Sequence, residues 1–175
     1  MRFSKKKSGT KQTIVMTDLS TKLQQTIQQV ADQYFRLVII AGEAGSGKTA
    51  LLQSLASQQN CSITNVTLEL SRRLLELTRA QRTRQVERLL KEIISDVDGA
   101  LVLLDNLEML FDASLEVEPL RLLQVCSRNR TIVATWSGTY ANGTLTYAEP
   151  GHLEFIQYKQ TEAVVVPVGP TVQPA

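Results

Sequence analysis

A chain of 175 residues is long enough to bury one proper core, and 43% hydrophobic with 21% charged residues excludes disordered and fibrous classes. The net charge of +2 hides an asymmetry: Arg2, Lys5, Lys6, Lys7 and Lys11 are the only charges in the first dozen residues, so the remainder is slightly acidic. No apolar run approaches the ~20 residues that cross a bilayer, and the basic N-terminus precedes Ser, Gly and Thr instead of a signal peptide's apolar stretch. The chain is therefore expected in the cytoplasm, with no membrane partner. Cys61 and Cys126 lack CxxC or metal-ligand spacing and read as two free thiols in a reducing compartment.

In chain order, residues 1–12 are expected to form a basic flexible arm, which either touches phosphates of nucleic acid or is simply a solvated tail. From Thr17-Asp18-Leu19-Ser20 a helix to about Tyr34 is predicted, with Leu19, Leu23, Ile27 and Val30 on one face. Leu37 to Ala41 is an uninterrupted apolar run, as in a central parallel strand buried on both faces. A glycine-rich loop, Gly42 to Gly47, leads into a helix opening at Lys48 and reaching Ser57. A second strand is predicted over 62–68, then helix from Ser71 to about Val97 with a break near Thr78–Thr83. Ala100 to Leu104 reads as another buried strand, 119–127 as a helix with Pro119 in its first turn, and 131–136 as a strand. Asn142-Gly143 signals a hairpin pairing Tyr140 with Thr144–Tyr147, and 153–158 is the last strand expected. Residues 161–175 are read as a proline-containing flexible tail, which leaves 13–160 as the domain. The alternation of strand and helix implies an α/β three-layer sandwich with a mostly parallel central sheet.

Gly42-Glu43-Ala44-Gly45-Ser46-Gly47-Lys48-Thr49 matches GxxxxGK[ST] in full, with Ala50 following in the helix. Glycines let successive backbone N–H groups converge into an anion nest. The helix start adds its positive dipole end, Lys48 supplies a mobile charge for β- and γ-phosphates, and the Thr49 hydroxyl suits magnesium. Context separates this from a mere glycine-rich turn: a buried strand stops at Gly42 and an amphipathic helix starts at Lys48.

Such a site also needs a carboxylate at the tip of a neighbouring strand to hold the magnesium shell. Leu101-Val102-Leu103-Leu104-Asp105 supplies one, and the alternative for Asp105 is a helix-capping role. Where many ATPases of this class place Glu directly after that Asp, this chain has Asn106. Glu108 is then the candidate base for water, or else an ordinary surface carboxylate. Thr135, with Ser137 as a weaker version, is a candidate sensor of the γ-phosphate or a threonine chosen for β-propensity. Arg128 and Arg130 are candidate arginine fingers for a neighbouring subunit or plain surface arginines. Arg72, Arg73, Arg79, Arg82, Arg84 and Arg88, offset by Glu69, Glu76 and Glu87, form a solvated face, a protein interface or a nucleic-acid groove. His152, the single histidine, has no Ser or Cys partner at triad spacing.

Residues 103–112, with Pro119-Leu120-Arg121-Leu122-Leu123, Ser127-Arg128-Asn129-Arg130-Thr131, Gly138-Thr139 and Thr146-Tyr147-Ala148-Glu149-Pro150-Gly151-His152, resemble the BrxF family. These are small P-loop proteins of type-3 BREX bacteriophage-defence systems, and the resemblance covers residues 15–158. It implies an ATPase-like component working with other BREX proteins in a system that methylates host DNA and blocks phage replication.

The fold expected is an AAA+-like P-loop core without a C-terminal helical lid, since only 17 residues follow Tyr158. Closure of the site is then expected from a homo-oligomer or a hetero-complex. The leading function is binding of ATP with Mg2+ and its hydrolysis, coupled to assembly or activity of a complex. A non-hydrolysing, nucleotide-dependent adaptor is the rival from another class, and a small-molecule kinase the weaker one.

Overall fold

A computed structural model describes residues 8–169 of the protein. Helix α1 (Ser8–Val30) precedes strand β1 (Leu37–Gly42) and helix α2 (Lys48–Gln59). Strand β2 (Ile63–Asn65) runs into α3 (Val66–Leu74), followed by α4 (Arg79–Ser95) and β3 (Leu101–Asp105). Two short 3-10 turns, Glu108–Phe111 and Ala113–Leu115, lead to α5 (Pro119–Cys126) and β4 (Thr131–Ser137). The chain closes with β5 (Tyr140–Ala141), β6 (Thr144–Tyr147), β7 (Ile156–Tyr158) and β8 (Val164–Pro167).

Five strands form one parallel sheet in the order β2-β3-β4-β1-β8. Because successive side chains leave opposite faces of a strand, each central strand feeds two cores. Leu37, Ile39, Val102, Leu104, Ile132 and Ala134 face α3, α4 and α5. Val38, Ile40, Leu103, Val133 and Val166 face α1 and α2. The result is the expected three-layer α/β sandwich.

Strand β2 is shorter than the 62–68 expected. Apolar residues at 66, 68 and 70 pass for strand alternation, yet Val66, Leu70 and Leu74 recur every fourth residue and are buried together. Asn65 starts the helix by accepting from the Leu68 N–H at 2.9 Å. Between α3 and α4 the break falls just before Thr78, whose hydroxyl and Gln81 make a reciprocal capping box.

At the termini the expectations need correction. Of the proposed basic arm, residues 1–7 lie outside the described residues, while Ser8 to Gln12 belong to α1. The proposed tail is not loose over 161–169. Residues 164–167 pair with β1, Val38 opposite Val164 and Ala41 opposite Pro167, and Val166 is fully buried. Proline is tolerated there because β8 is an edge strand, where a missing N–H costs no ladder bond on the open side. Residues 170–175 lie outside the described residues.

A second sheet, β5-β6-β7, is antiparallel and packs an aromatic cluster against the end of β4. Trp136 meets Phe111, Tyr147 and Tyr158 edge-on, and Phe111 stacks on Tyr147. The Trp136 indole N–H donates to the Thr146 carbonyl at 2.8 Å. Gly138 lets the hairpin come this close: a Cβ there would sit 1.8 Å from the Thr146 oxygen, a backbone atom that cannot swing aside. Gly138→Ala is expected to destabilise by about 1–3 kcal/mol, the usual range for overpacking. Thermal denaturation reads it, and an unchanged midpoint would contradict this packing.

A candidate nucleotide site at the head of the sheet

The loop from Gly42 to Thr49 connects β1 to α2 at the C-terminal edge of the parallel sheet. Gly45 and Gly47 hold φ of 74° and 98°, left-handed values that glycine adopts without strain. Gly42 is needed for a different reason: a Cβ would lie 2.3 Å from Ser46 Oγ and 2.4 Å from the Val168 oxygen. With this backbone, the N-terminus of a 12-residue helix opens beneath the loop, where its free N–H groups favour an anion.

Lys48 is 8% exposed, and its ammonium donates to the carbonyls of Gly42 and Glu43, both at 2.7 Å. Burial pulls its pKa below the ordinary value, opposed by the charges of Glu108, Asp105 and Glu43. Burial strengthens the attraction of this cation for phosphate oxygens that replace the loop carbonyls, while the three carboxylates keep it charged and call for a counter-cation when a polyanion binds.

Asp105 ends β3 and is buried. The Thr49 hydroxyl donates to its Oδ2 at 3.2 Å, the Asn106 N–H donates to its Oδ1 at 3.0 Å, and Thr135 also donates to Oδ1. Two oxygen donors side by side fit Mg2+, which takes few protein ligands and leaves the rest to phosphates and water. Among the described residues no group of three or more His, Cys, Asp or Glu is placed to hold a metal ion.

Glu108 opens a 3-10 turn directly after the strand, and its Oε1 accepts from the Ser137 hydroxyl at 3.1 Å. Thr67 fixes that turn. Its N–H and hydroxyl both donate to the Asn106 carbonyl, at 2.9 and 2.7 Å, and the Met109 N–H donates back to its hydroxyl at 3.2 Å. Asn106 has φ of 54°, which turns the chain and puts Glu108 over the head of β4.

The sequence candidates therefore separate. The loop residues Gly42 to Ala50, Lys48, Thr49, Asp105 and Glu108 come together at one edge of the sheet. Thr135 sits near the same edge but inside it, 4% exposed and engaged with Asp105, so it orients that carboxylate. Ser137, two residues further along β4, stands at the tip instead.

Arg128 and Arg130 precede β4, whose Ile132 is opposite Leu37 at the start of β1, so they lie at the edge away from the loop. Arg130 donates to the carbonyls of Ile94, Val97 and Gly99, closing the C-terminus of α4. Arg128 donates to the Tyr34 hydroxyl and lies 4.7 Å from that ring's centroid. Neither reaches the site of its own chain.

In the arginine-rich stretch, Arg72, Arg73 and Arg88 pair with Glu69, Asp96 and Glu92 on the surface. Sequence reasoning missed Thr67 and gave Ser137 only a minor place. Their roles depend on contacts across 39 and 29 residues, for which spacing carries no signal.

A family profile described as the viral superfamily 1 RNA helicase core domain matches residues 38–123, just under half of the chain. The match runs from β1 through α5 and takes in both the loop and Asp105. Over that stretch the chain is similar to a P-loop helicase core. Two solved structures resemble this P-loop domain. PCH-2 from C. elegans has a TM-score of 0.43 and 18% identity over 92% of this chain and 42% of its own. AMPPCP-bound DnaA from Aquifex aeolicus has a TM-score of 0.41 and 14% identity over 83% of this chain and 43% of its own. The P-loop domain thus spans roughly two fifths of the length of each. No curated protein matches the sequence significantly. Among the described residues no helix is long and apolar enough to cross a membrane.

Proposed function

We propose that the chain binds ATP with Mg2+ and hydrolyses it. The observation that carries this is the convergence, at the mouth of α2, of Lys48, the Thr49–Asp105 pair at 3.2 Å and Glu108. Triphosphate oxygens take the loop N–H groups and draw the Lys48 ammonium off Gly42 and Glu43. Thr49 and Asp105 would hold the metal, which would supply charge neutralisation to the phosphates. Glu108, released from Ser137, accepts the proton of the attacking water. Both Arg128 and Arg130 point away, so an arginine that stabilises the transition state comes from a second subunit or a partner.

The resemblance of the later segments to the BrxF family supports a reading in which this activity serves a multi-protein phage-defence assembly, with nucleotide state regulating its assembly or activity. Glu108→Gln is expected to leave Mg-ATP binding within about twofold and to lower turnover by about 10²-fold or more, the typical worth of a general base. Phosphate release and calorimetry on the same preparations measure the two. Binding without turnover in the unmodified protein would favour the non-hydrolysing adaptor. Capture of partners from native cells by wild-type but not Lys48→Ala protein tests the assembly.

A further inference from the structure

A groove of about 990 Å³ opens on the opposite side of the P-loop from Asp105 and Glu108, between α1, the start of α2 and the residues after β8. Its floor is Gly45, Ser46, Gly47 and Ala50, so it is continuous with the phosphate cradle. Met16 and Leu19 from α1 supply one apolar wall, and Val168 with Gly169 the other. At its far end Gln24 donates to Gln58 at 2.6 Å, and Gln58 in turn donates to Ser20 at 3.2 Å, an amide pair offering both donors and acceptors. A few polar groups at one end of an apolar cleft is the usual make-up of a small-molecule site, and the volume is of that order.

We infer that this groove takes the nucleoside half of the nucleotide, and that the segment directly after β8, Val168 and Gly169, is its specificity wall. The inference rests on the P-loop reading above and adds to it. With terminal phosphates drawn to Lys48, Thr49 and Asp105, the rest of the molecule leaves the loop on the other side, where the groove begins. Base and ribose then pack against Met16, Leu19 and Val168, and the base edge meets the Gln24–Gln58 amides. The wall is fastened to the loop itself: the Val168 N–H donates to the Ala41 carbonyl at 2.7 Å, and Gly42 must lack a side chain to admit the Val168 carbonyl. Nucleoside binding therefore also secures β8 as the edge strand.

Calorimetry of the full chain with Mg-ATP and with Mg-tripolyphosphate separates the two halves of the site. The unmodified protein is expected to prefer ATP by about tenfold or more. Val168→Asp should remove most of that preference; its carboxylate beside the loop weakens both ligands by repulsion, so the ratio of the two affinities is the readout. Gln58→Ala, at an exposed position that does not endanger folding, should narrow it about threefold to tenfold. Lys48→Ala should weaken both ligands alike. Equal affinity of the unmodified protein for the two ligands overturns the groove assignment while the P-loop reading stands. So does an undiminished ATP preference in Gln58→Ala and in folded Val168→Asp. Failure of the unmodified protein to bind either ligand overturns the P-loop reading and the groove with it.

Discussion

Lys48→Ala is expected to weaken Mg-ATP binding roughly 10- to 100-fold and to shrink correspondingly the thermal shift that the ligand gives the unmodified protein. A charge-assisted hydrogen bond contributes about 1.5–3 kcal/mol, and tenfold in affinity corresponds to about 1.4 kcal/mol. Desolvation makes this lysine a strong phosphate ligand. It is 8% exposed and its charge is disfavoured by burial. Much of the penalty is already met in the free protein, where two loop carbonyls solvate the ammonium at 2.7 Å. The same reasoning limits the effect on the empty fold. Alanine loses two hydrogen bonds but also relieves a buried charge, and the two changes offset in part. Differential scanning fluorimetry with and without Mg-ATP reads both. A ligand-induced shift undiminished in Lys48→Ala would remove the cradle from the argument.

Trp136→Ala is expected to cost about 3–5 kcal/mol of folding stability, the range for deleting a buried large aromatic. That is a large part of the roughly 5–15 kcal/mol that holds a domain of this kind together. Trp136 is 1% exposed and lies where three parts of the protein meet: the end of β4, the turn carrying Glu108 and Phe111, and the antiparallel sheet. Its removal opens a cavity, leaves the Thr146 carbonyl without the indole donor, and loosens Phe111 six residues from the end of β3. Turnover should therefore fall further than ATP binding, because Glu108 sits on the loosened turn and Lys48 does not. Urea denaturation gives the stability. A loss below about 1 kcal/mol would mean that the cluster is not the keystone described.

Much of this protein could be read without a structure, and the reason is local. The P-loop works through residues adjacent in the chain, so Gly42 to Thr49 carry the whole signal in eight positions. Asp105 is legible because four apolar residues before it announce a buried strand that ends there. Helix α5, the hairpin turn at Asn142-Gly143 and the strands at 37, 101 and 131 follow from the same short-range rules of burial and turn chemistry.

What sequence could not decide was which segments meet. Val164 to Val168 looks like a tail, because nothing near it in the chain shows that β1 has a free edge to pair with. Thr135 and Ser137 lie two residues apart on one strand, and only the register of β3 against β4 sends the first to Asp105 while the second reaches Glu108. Arg130 has the composition of a finger, yet the carbonyls of Ile94, Val97 and Gly99 at the end of α4 and just beyond it hold both of its terminal nitrogens. Chemistry confined to one loop is written in consecutive residues. Contacts between distant segments appear only when the sheet has chosen its order, because their energy comes from burying surfaces that the linear chain keeps apart.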